Sequence, residues 1–578
     1  MNEELKKFLD KELNKPTANN TVAVFPLPCG TGKSEYIRYL ISDALIKGYG
    51  LIVITDEIDR LNGYTKSTNK ELQTYLEKNQ DRIALLKSET ISTEIKTVHK
   101  KPIILMSTQR YFSLDLPELK NFTNSRKKIV FDEKPYIFEI EKITINKLNT
   151  VDTVLKEVLN DTVNQSDKET LIECWASISS KLQNELKTNE KLNDSYKREL
   201  FFKLGGNAYT NIFYKNIKNY KSIIKKFNPD AIKTIEAVKQ LLTEGIITSQ
   251  KMKYKTSGNK YDNYFTVFKN NIDKLTAVDA KVYILDGTAD ISPEYKLKKI
   301  NIIDCSKFKR DLSKLTINIV DVNTSKERLT KAGNKTENLI KTLVSYIHSL
   351  PLNIDTIFTY KAISSKFTNE FKNINWFGNI KGTNQYRNIN HICQIGLNRY
   401  SDLTYILYAN AIGQFNDENK ELINRIYDLE TVDNIRCNLI LADLEQNIYR
   451  SKIRNTNNKE KCVYTLICNF NEQSNLIEDY KPLIEIIKSR YENLGATVNL
   501  IDTPTEFKIL KIKERNTKNK SSVQKFIDWL NIQPKGKVFK RADLLTECKI
   551  TKSQFKDIKD SGVLNALKTS KQGIYQVK

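Results

Sequence analysis

A glycine-spaced loop that ends in a lysine and a serine occurs near the amino terminus of the chain, in VFPLPCGTGKS. Gly30 and Gly32, with Thr31 between them, allow backbone N–H groups to close around phosphate oxygens. Lys33 would reach the β- and γ-phosphates, and Ser34 would hold Mg²⁺. The stretch therefore predicts a nucleoside-triphosphate site. The alternative is a glycine turn followed by an incidental lysine and serine.

Paired carboxylates follow an apolar run further along the chain, in KKIVFDEKPYI. Asp132 would hold Mg²⁺ through its water shell, and Glu133 would orient and deprotonate the water that attacks the γ-phosphate. Taken alone, the pair could equally be a solvated acidic turn after an ordinary strand. In combination with the glycine loop, it predicts ATP hydrolysis with Mg²⁺ as a cofactor.

Two arginines follow a glutamine in the stretch NLILADLEQNIYRSKIRN. A helix that begins at Asp443 would place Gln446 and Arg450 on one face, with Arg454 one step further along it. Arginines that point across a cleft stabilise the charge that develops on a transferred phosphoryl group, and we prefer Arg450 for that role. The alternative is a basic amphipathic helix on the surface.

The glycine loop needs a strand before it and a helix after it. Residues 21–25 alternate and are rich in β-branched side chains, which is typical of a strand. The residues after the loop place Tyr36, Leu40 and Leu45 at helical spacing. The stretch therefore has the strand–loop–helix context that phosphate binding requires.

The order of these stretches resembles the order of motifs in superfamily-two helicases and translocases of the DEAD and DEAH type. The pattern PLPCGTGKS resembles motif I, although Leu27 stands where the general loop has its first glycine, and DEKP resembles motif II. KVYILDGTADIS resembles motif III. The glutamine–arginine stretch resembles motif VI, with Tyr449 in place of a glycine and its second arginine one residue late. The resemblance covers residues 20–470 and implies two RecA-like lobes with ATP between them.

Other stretches resemble the motifs that contact nucleic acid in that family. They are GLIVITDEIDRL, KPIILMSTQRYF, NIDTIFTYKAISSKF and NIKGTNQYRNINHICQIG. The last of these implies that Gly382 approaches both ATP and backbone phosphates. The other three imply nucleic-acid contacts at Thr55, Thr108, Gln109, Arg110 and Thr359.

The net charge indicates a polyanionic partner, most simply nucleic acid. The chain has 93 Lys and Arg against 69 Asp and Glu, a formal charge of +24. Residues 507–578 contain 18 Lys and Arg and 6 Asp and Glu, so half of the excess lies in the last eighth of the chain. The alternative is a compositional bias toward Lys, Asn and Ile.

The length of 578 residues exceeds what one hydrophobic core supports. The chain contains no run of about 18 apolar residues, and its first segment, MNEELKKFLDKELNK, is charged throughout. We therefore expect a cytoplasmic protein with no membrane partner. The eight cysteines form no CxxC pair, so we do not expect a structural zinc site.

The expected fold class is α/β, with two RecA-like lobes, mainly parallel sheets, a helical insertion between motifs II and III, and a small winged-helix-like domain. The expected boundaries are 15–140 with 276–312 for lobe 1, 141–275 for the insertion, 313–505 for lobe 2, 506–521 for a linker and 522–578 for the terminal domain.

The terminal domain has three short helical segments and a final hairpin, which resemble a winged helix. In that fold the third helix enters the major groove and the wing contacts phosphates. The expected DNA contacts are Lys552, Gln554, Lys556 and Lys559 on the helix, and Lys568 and Lys571 on the wing. The alternative is a small helical domain that binds protein.

We expect an ATP-dependent nucleic-acid helicase or translocase, with DNA favoured over RNA. Its setting would be replication or defence of a mobile element or phage, with a possible partner protein from that setting. One alternative is a DNA-bound ATPase switch, such as a replication initiator or loader, that does not unwind. A non-enzymatic DNA-binding regulator is a third hypothesis, against which the intact loop and acidic pair argue.

Overall fold

The computed structural model describes most of the chain. The described residues are 3–15, 21–56, 58–66, 70–87, 97–158, 165–188, 205–243, 249–253, 261–354, 356–380, 385–400, 402–413, 430–468, 483–508, 526, 529–530, 533–534, 536–548, 555, 567–571 and 574–577. Among them, no helix combines the length and the apolar character that crossing a bilayer requires.

Short apolar runs alternate with helices in the amino-terminal block. Its elements are α1 (Glu3–Asn14), β1 (Val22–Phe25), α2 (Lys33–Lys47), β2 (Leu51–Thr55), α3 (Ile58–Tyr64), α4 (Lys70–Lys78), β3 (Ile83–Leu86), β4 (Ile103–Ser107), α5 (Thr108–Ser113), α6 (Leu116–Thr123) and β5 (Lys128–Asp132). The strand residues are nearly all buried, as expected for parallel strands covered by helices on both faces.

The sequence predicted a helical insertion after β5. The insertion does contain helices, but it also contains a three-stranded antiparallel sheet. Its elements are β6 (Phe138–Ile143), α7 (Ile145–Val158), α8 (Gln165–Thr188), α9 (Ala208–Asn216), α10 (Lys221–Phe227), α11 (Pro229–Thr243), β7 (Ser249–Lys253) and β8 (Tyr261–Asn270), and the sheet order is β6-β8-β7. Phe265 and Val267 of β8 join the core of the helices, while Phe268 packs outward against Phe138 and Tyr408. The two faces of β8 therefore link the helical core of the insertion to Tyr408 of the second lobe.

The chain then returns to the first sheet through α12 (Ile272–Thr276), β9 (Lys281–Leu285) and β10 (Ile300–Ile302). The seven strands are parallel in the order β10-β1-β9-β5-β2-β4-β3. Strand β9 lies between β1 and β5, with Leu285 level with both Phe25 and Asp132. The loops after β1, β5 and β9 therefore meet at one edge of the sheet.

The second lobe contains a separate parallel sheet. Its elements are β11 (Leu315–Asp321), α13 (Lys326–Thr330), α14 (Asn334–Ser349), β12 (Thr356–Thr359), α15 (Lys361–Ser364), β13 (Asn373–Trp376), β14 (His391–Ile395), α16 (Asp402–Ala411), α17 (Glu430–Ile448), β15 (Cys462–Cys468), α18 (Leu483–Glu492) and β16 (Thr497–Ile501). The strand order is β13-β12-β14-β15-β11-β16. Two parallel α/β sheets confirm the expected fold class, whereas the exact domain boundaries stay predictions.

The carboxyl-terminal region contributes β17 (Val538–Lys540), α19 (Arg541–Glu547), β18 (Leu567–Lys571) and β19 (Ile574–Val577) to the described residues. The three strands form an antiparallel sheet in the order β17-β19-β18, so the final two strands pair as expected. Lys568 and Lys571 lie in β18. The third helix of the expected winged helix, with Lys552, Gln554, Lys556 and Lys559, lies outside the described residues, and that domain type stays a prediction.

Candidate nucleotide site between the lobes

The glycine loop adopts backbone angles that suit glycine. The φ angles of Gly30 and Gly32 are +82° and +100°, a region that side-chain-bearing residues rarely enter. Helix α2 begins immediately afterwards at Lys33, so the free N–H groups of its first turn face the loop. The Lys33 side chain is 8% exposed, and its Nζ donates to the carbonyl oxygen of Leu27 at 2.7 Å. Thr31 closes the turn by donating from Oγ1 to Pro28 O at 2.9 Å.

The two residues expected to hold Mg²⁺ are neighbours. Strand β5 delivers Asp132 to the edge where the loop lies, and Ser34 Oγ donates to Asp132 Oδ2 at 3.3 Å. Asp132 is only 2% exposed. A buried carboxylate, a hydroxyl and a lysine ammonium on a glycine loop form a donor set that fits a magnesium–triphosphate group.

Glu133 has an unusual backbone conformation. Its φ of +87° makes it the one non-glycine residue with a positive φ among the described residues. Its N–H donates to Leu285 O of the neighbouring strand at 3.2 Å, which fixes the turn. A non-glycine residue in this region costs about 1–3 kcal/mol and persists where the surroundings hold it, as often occurs at functional sites.

Two side chains of helix α3 contact the acidic pair, and the sequence analysis selected neither of them. Arg60 Nη1 lies 2.7 Å from Glu133 Oε1 and 3.6 Å from Asp132 Oδ2. Tyr64 is buried, and its hydroxyl donates to Asp132 Oδ2. The sequence signal for these two residues is their i, i+4 spacing after a buried strand, which places them on one face of a helix. That spacing does not indicate that the face contacts Asp132 and Glu133.

The second lobe contacts the glycine loop directly. Arg310, on the connection between the sheets, donates from Nη1 to Cys29 O at 2.8 Å and to Arg454 O at 2.6 Å. Its Nη2 donates to Ile453 O at 2.6 Å. A Cβ added at Gly30 would lie 2.1 Å from Arg454 O. The backbone after α17 therefore lies against the phosphate loop, across the cleft between the lobes.

The two arginines of the motif VI-like stretch lie outside the helix that the sequence predicted for them. Helix α17 ends at Ile448, Arg450 lies in the following turn, and Arg454 lies in the 3₁₀ helix Lys452–Arg454. The helical hydrogen-bond pattern is lost at this point, because Arg450 and Ser451 donate their N–H groups to carbonyls three residues back and Lys452 donates its N–H to Ile389 O at 2.9 Å.

The two arginines and the Glu133 carboxyl are close enough for their charges to influence one another. Burial alone would raise the pKa of the Glu133 carboxyl, but Arg60, Arg450 and Lys33 outweigh it and hold that pKa below its usual range. Burial lowers the pKa of the Arg454 guanidinium; nearby Arg450 and Arg60 lower it further, while Glu133 opposes them. Arg450 is 5% exposed. The cleft thus brings together cations from both lobes and carboxylates from one.

A second inter-lobe contact uses the motif III-like turn. Asp290 binds both terminal nitrogens of Arg490 on α18, at 2.9 and 3.2 Å. Arg490 Nε also donates to Glu445 Oε2 on α17 at 2.6 Å. Glu445 is buried, and burial raises its pKa although Arg490 opposes the shift. Sequence analysis selected neither Arg490 nor Glu445, because the partners are far apart in the chain.

Of Gln446 and Gly382, only Gln446 belongs to the residues that the structure describes. Gln446 lines a cavity of about 620 Å³ between the lobes and the insertion, together with Glu133, Tyr136 and Arg399. Gly382 lies outside the described residues. Its proposed approach to ATP stays a prediction.

The residues expected to contact nucleic acid differ in exposure. Thr55, Thr108 and Thr359 are buried and offer no surface in this arrangement. Gln109 is exposed, and Arg110 is half-buried, with a pKa lowered by burial. A cavity of about 550 Å³ at the carboxyl ends of the second sheet is lined by residues that the sequence analysis did not select, among them Lys326, Lys361, Asn398 and Arg399.

Comparisons with known proteins give structural likenesses at low sequence identity. The solved structure named XPD_Helicase is 13% identical over 86% of this chain and 98% of its own, with a TM-score of 0.43. The helicase MrfA bound to DNA is 9% identical over 100% of this chain and 56% of its own, with a TM-score of 0.30. A DEAD-box protein from the hyperthermophile Methanococcus jannaschii is 9% identical over 83% of this chain and 88% of its own, with a TM-score of 0.27.

Two of these neighbours are named helicases and the third is named a DEAD-box protein, which is the kind of protein whose motif order the sequence resembles. No protein-family model matches the chain, and no curated protein matches it.

Proposed function

We propose that the chain is an ATP-dependent nucleic-acid helicase or translocase. The observation that supports this most strongly is the convergence on one cleft of Lys33, Ser34 and Asp132 from lobe 1 with Arg450 and Arg454 from lobe 2. A triphosphate site completed by a second lobe can couple hydrolysis to movement of the lobes, which is what a motor requires.

Each side chain of the cleft has a proposed role. The loop N–H groups and Lys33 bind the phosphates, while Ser34 and Asp132 hold the metal. Bound Mg²⁺·ATP would supply the electrophilic γ-phosphorus and its leaving group. Glu133 orients a water molecule and accepts its proton. Arg450, and in second place Arg454, stabilises the charge that develops on the equatorial oxygens.

Nucleic acid would bind across the carboxyl ends of both sheets. Exposed Gln109 and half-buried Arg110 are available on lobe 1, and Lys326, Lys361 and Arg399 line the cavity on lobe 2. The formal charge of +24 and its concentration in the last residues favour a polyanion held by several phosphate contacts. We favour DNA over RNA and a terminal winged helix that anchors the motor, with the cytoplasm as the compartment and a mobile element or phage as the setting.

The proposal is tested by measuring ATP hydrolysis in turn with single-stranded DNA, duplex DNA and RNA, beside unwinding of a forked duplex. A nucleic-acid-stimulated rate with strand separation identifies a helicase, and stimulation without separation is expected of a translocase or of a DNA-bound ATPase switch. An unstimulated rate on all three would contradict a nucleic-acid motor.

A further inference from the structure

We propose that Arg60 is a positioning residue that competes with the divalent metal for the acidic pair, so that metal binding is coupled to the position of α3. This inference rests on the proposed function of the same site and adds a residue to which no role is otherwise assigned.

The geometry places one guanidinium against both carboxylates. Arg60 Nη1 is 2.7 Å from Glu133 and 3.6 Å from Asp132. One helical turn later, Tyr64 donates its hydroxyl to Asp132 Oδ2, the oxygen that also accepts from Ser34. Helix α3 therefore binds the oxygens through which the proposed metal site would act.

The charges make these contacts and metal binding mutually unfavourable. Arg60 lies beside both carboxylates, and the Glu133 carboxyl is also influenced by the positive charges of Arg450 and Lys33. A divalent cation beside Asp132 would face the Arg60 guanidinium at a distance of a few Å, where like charges repel strongly in a poorly solvated site. Withdrawal of Arg60 removes that repulsion and also frees Glu133 to accept a proton.

The position of α3 is open to influence from the cavity between the lobes. Helix α3 begins three residues after the end of β2, and Asp56 between them lines the cavity with Glu133 and Arg399. On its other side, Arg38 Nε of α2 donates to Gly63 O at 3.0 Å, which ties α3 to the helix behind the phosphate loop. A strand of nucleic acid that shifts Asp56 and the start of α3 would move Arg60 and Tyr64 together.

The test measures metal affinity rather than turnover. Full-length chain is titrated with Mn²⁺ in the presence of a saturating non-hydrolysable ATP analogue, and free Mn²⁺ is read by electron paramagnetic resonance. Arg60→Gln should lower the Mn²⁺ Kd about tenfold, because one repelling charge is removed. Arg60→Lys should keep a Kd close to wild type, and Tyr64→Phe, which removes no charge, should change it less than about threefold.

Lys47→Gln is the matched control for loss of a positive charge, because Lys47 is exposed and pairs with Asp43 at 2.8 Å on α2. Adding single-stranded DNA should tighten Mn²⁺ binding in the wild type but not in Arg60→Gln. An unchanged or weaker affinity in Arg60→Gln, with normal wild-type binding, overturns the role of Arg60 alone. Absence of analogue-dependent Mn²⁺ binding in the wild type overturns the proposed function as well.

Discussion

Gly30 of the phosphate loop lies against the main-chain carbonyl of Arg454 from the other lobe, so closely that a Cβ at Gly30 would be 2.1 Å from that oxygen. Two independent constraints therefore act on one residue: its φ of +82° and the approach of the second lobe. The same contact places the motif VI-like backbone at the phosphate site.

Substitution at the two loop glycines should separate these constraints. Gly30→Ala should lower ATP hydrolysis at least about 100-fold, because it strains the loop and forces the lobes apart. Gly32→Ala is the control, since its φ is +100° but a Cβ would meet nothing within 4 Å. Steady-state hydrolysis and thermal unfolding measure both effects. Equal losses in the two variants would show that the contact with Arg454 has no separate importance.

Arg450→Ala should reduce kcat about 10³-fold with little change in nucleotide affinity, because a finger arginine acts on developing charge. Arg454→Ala should cost less, since the contact with the loop uses the Arg454 carbonyl rather than its side chain. Lys452→Ala is the control for loss of a positive charge in this part of the chain. Lys452 lies two residues after Arg450, and its ammonium pairs with Glu460. A loss for Lys452→Ala as large as that for Arg450→Ala would contradict the assignment.

Arg490→Ala should destabilise the folded chain by about 3–5 kcal/mol at neutral pH, because it leaves Glu445 buried without its partner. Lys488→Ala on the same helix, which removes an exposed pair at 3.9 Å, should cost less than about 1 kcal/mol. Chemical denaturation of both variants measures the difference.

The loss of stability caused by Arg490→Ala should become smaller as the pH falls. Burial raises the pKa of Glu445 in the folded state above its unfolded value, so the folded chain binds the extra proton. The destabilisation should be largest above that raised pKa and should decrease as the pH falls toward the unfolded value near about 4.3. A penalty that stays constant between neutral pH and pH of about 4 would contradict the burial argument.

Removing residues 509–578 should weaken DNA binding and reduce its salt dependence while leaving basal ATP hydrolysis. The cut follows Lys508 because Phe507 is buried in the second lobe against Tyr346, with ring centroids 5.6 Å apart. Full-length binding should fall by orders of magnitude between about 50 and 200 mM salt. Unchanged affinity and salt slope after truncation would contradict the anchoring role of the terminal region.

Local chemistry made the phosphate loop and acidic pair predictable, because their residues are adjacent in the chain. The parallel strands that position them were also predictable from short apolar runs. Arg310 and Arg490 were not, since their partners lie 281 and 200 residues away and only the folded lobes bring them together. Arg60 was also not predictable, because its partners Asp132 and Glu133 are distant from it in the sequence. The helix predicted through Arg450 ends early for a related reason, because the N–H of Lys452 binds Ile389 O, 63 residues away, instead of a carbonyl of the preceding helical turn.

Nucleotide binding and turnover by Lys33→Ala, measured beside the wild-type chain with Mg²⁺ and single-stranded DNA, test the central claim most directly. The account predicts stimulated hydrolysis by the wild type, and a loss of at least about 100-fold in the variant, because the lysine that binds the β- and γ-phosphates is removed. Equal binding and equal turnover in the two proteins would contradict it.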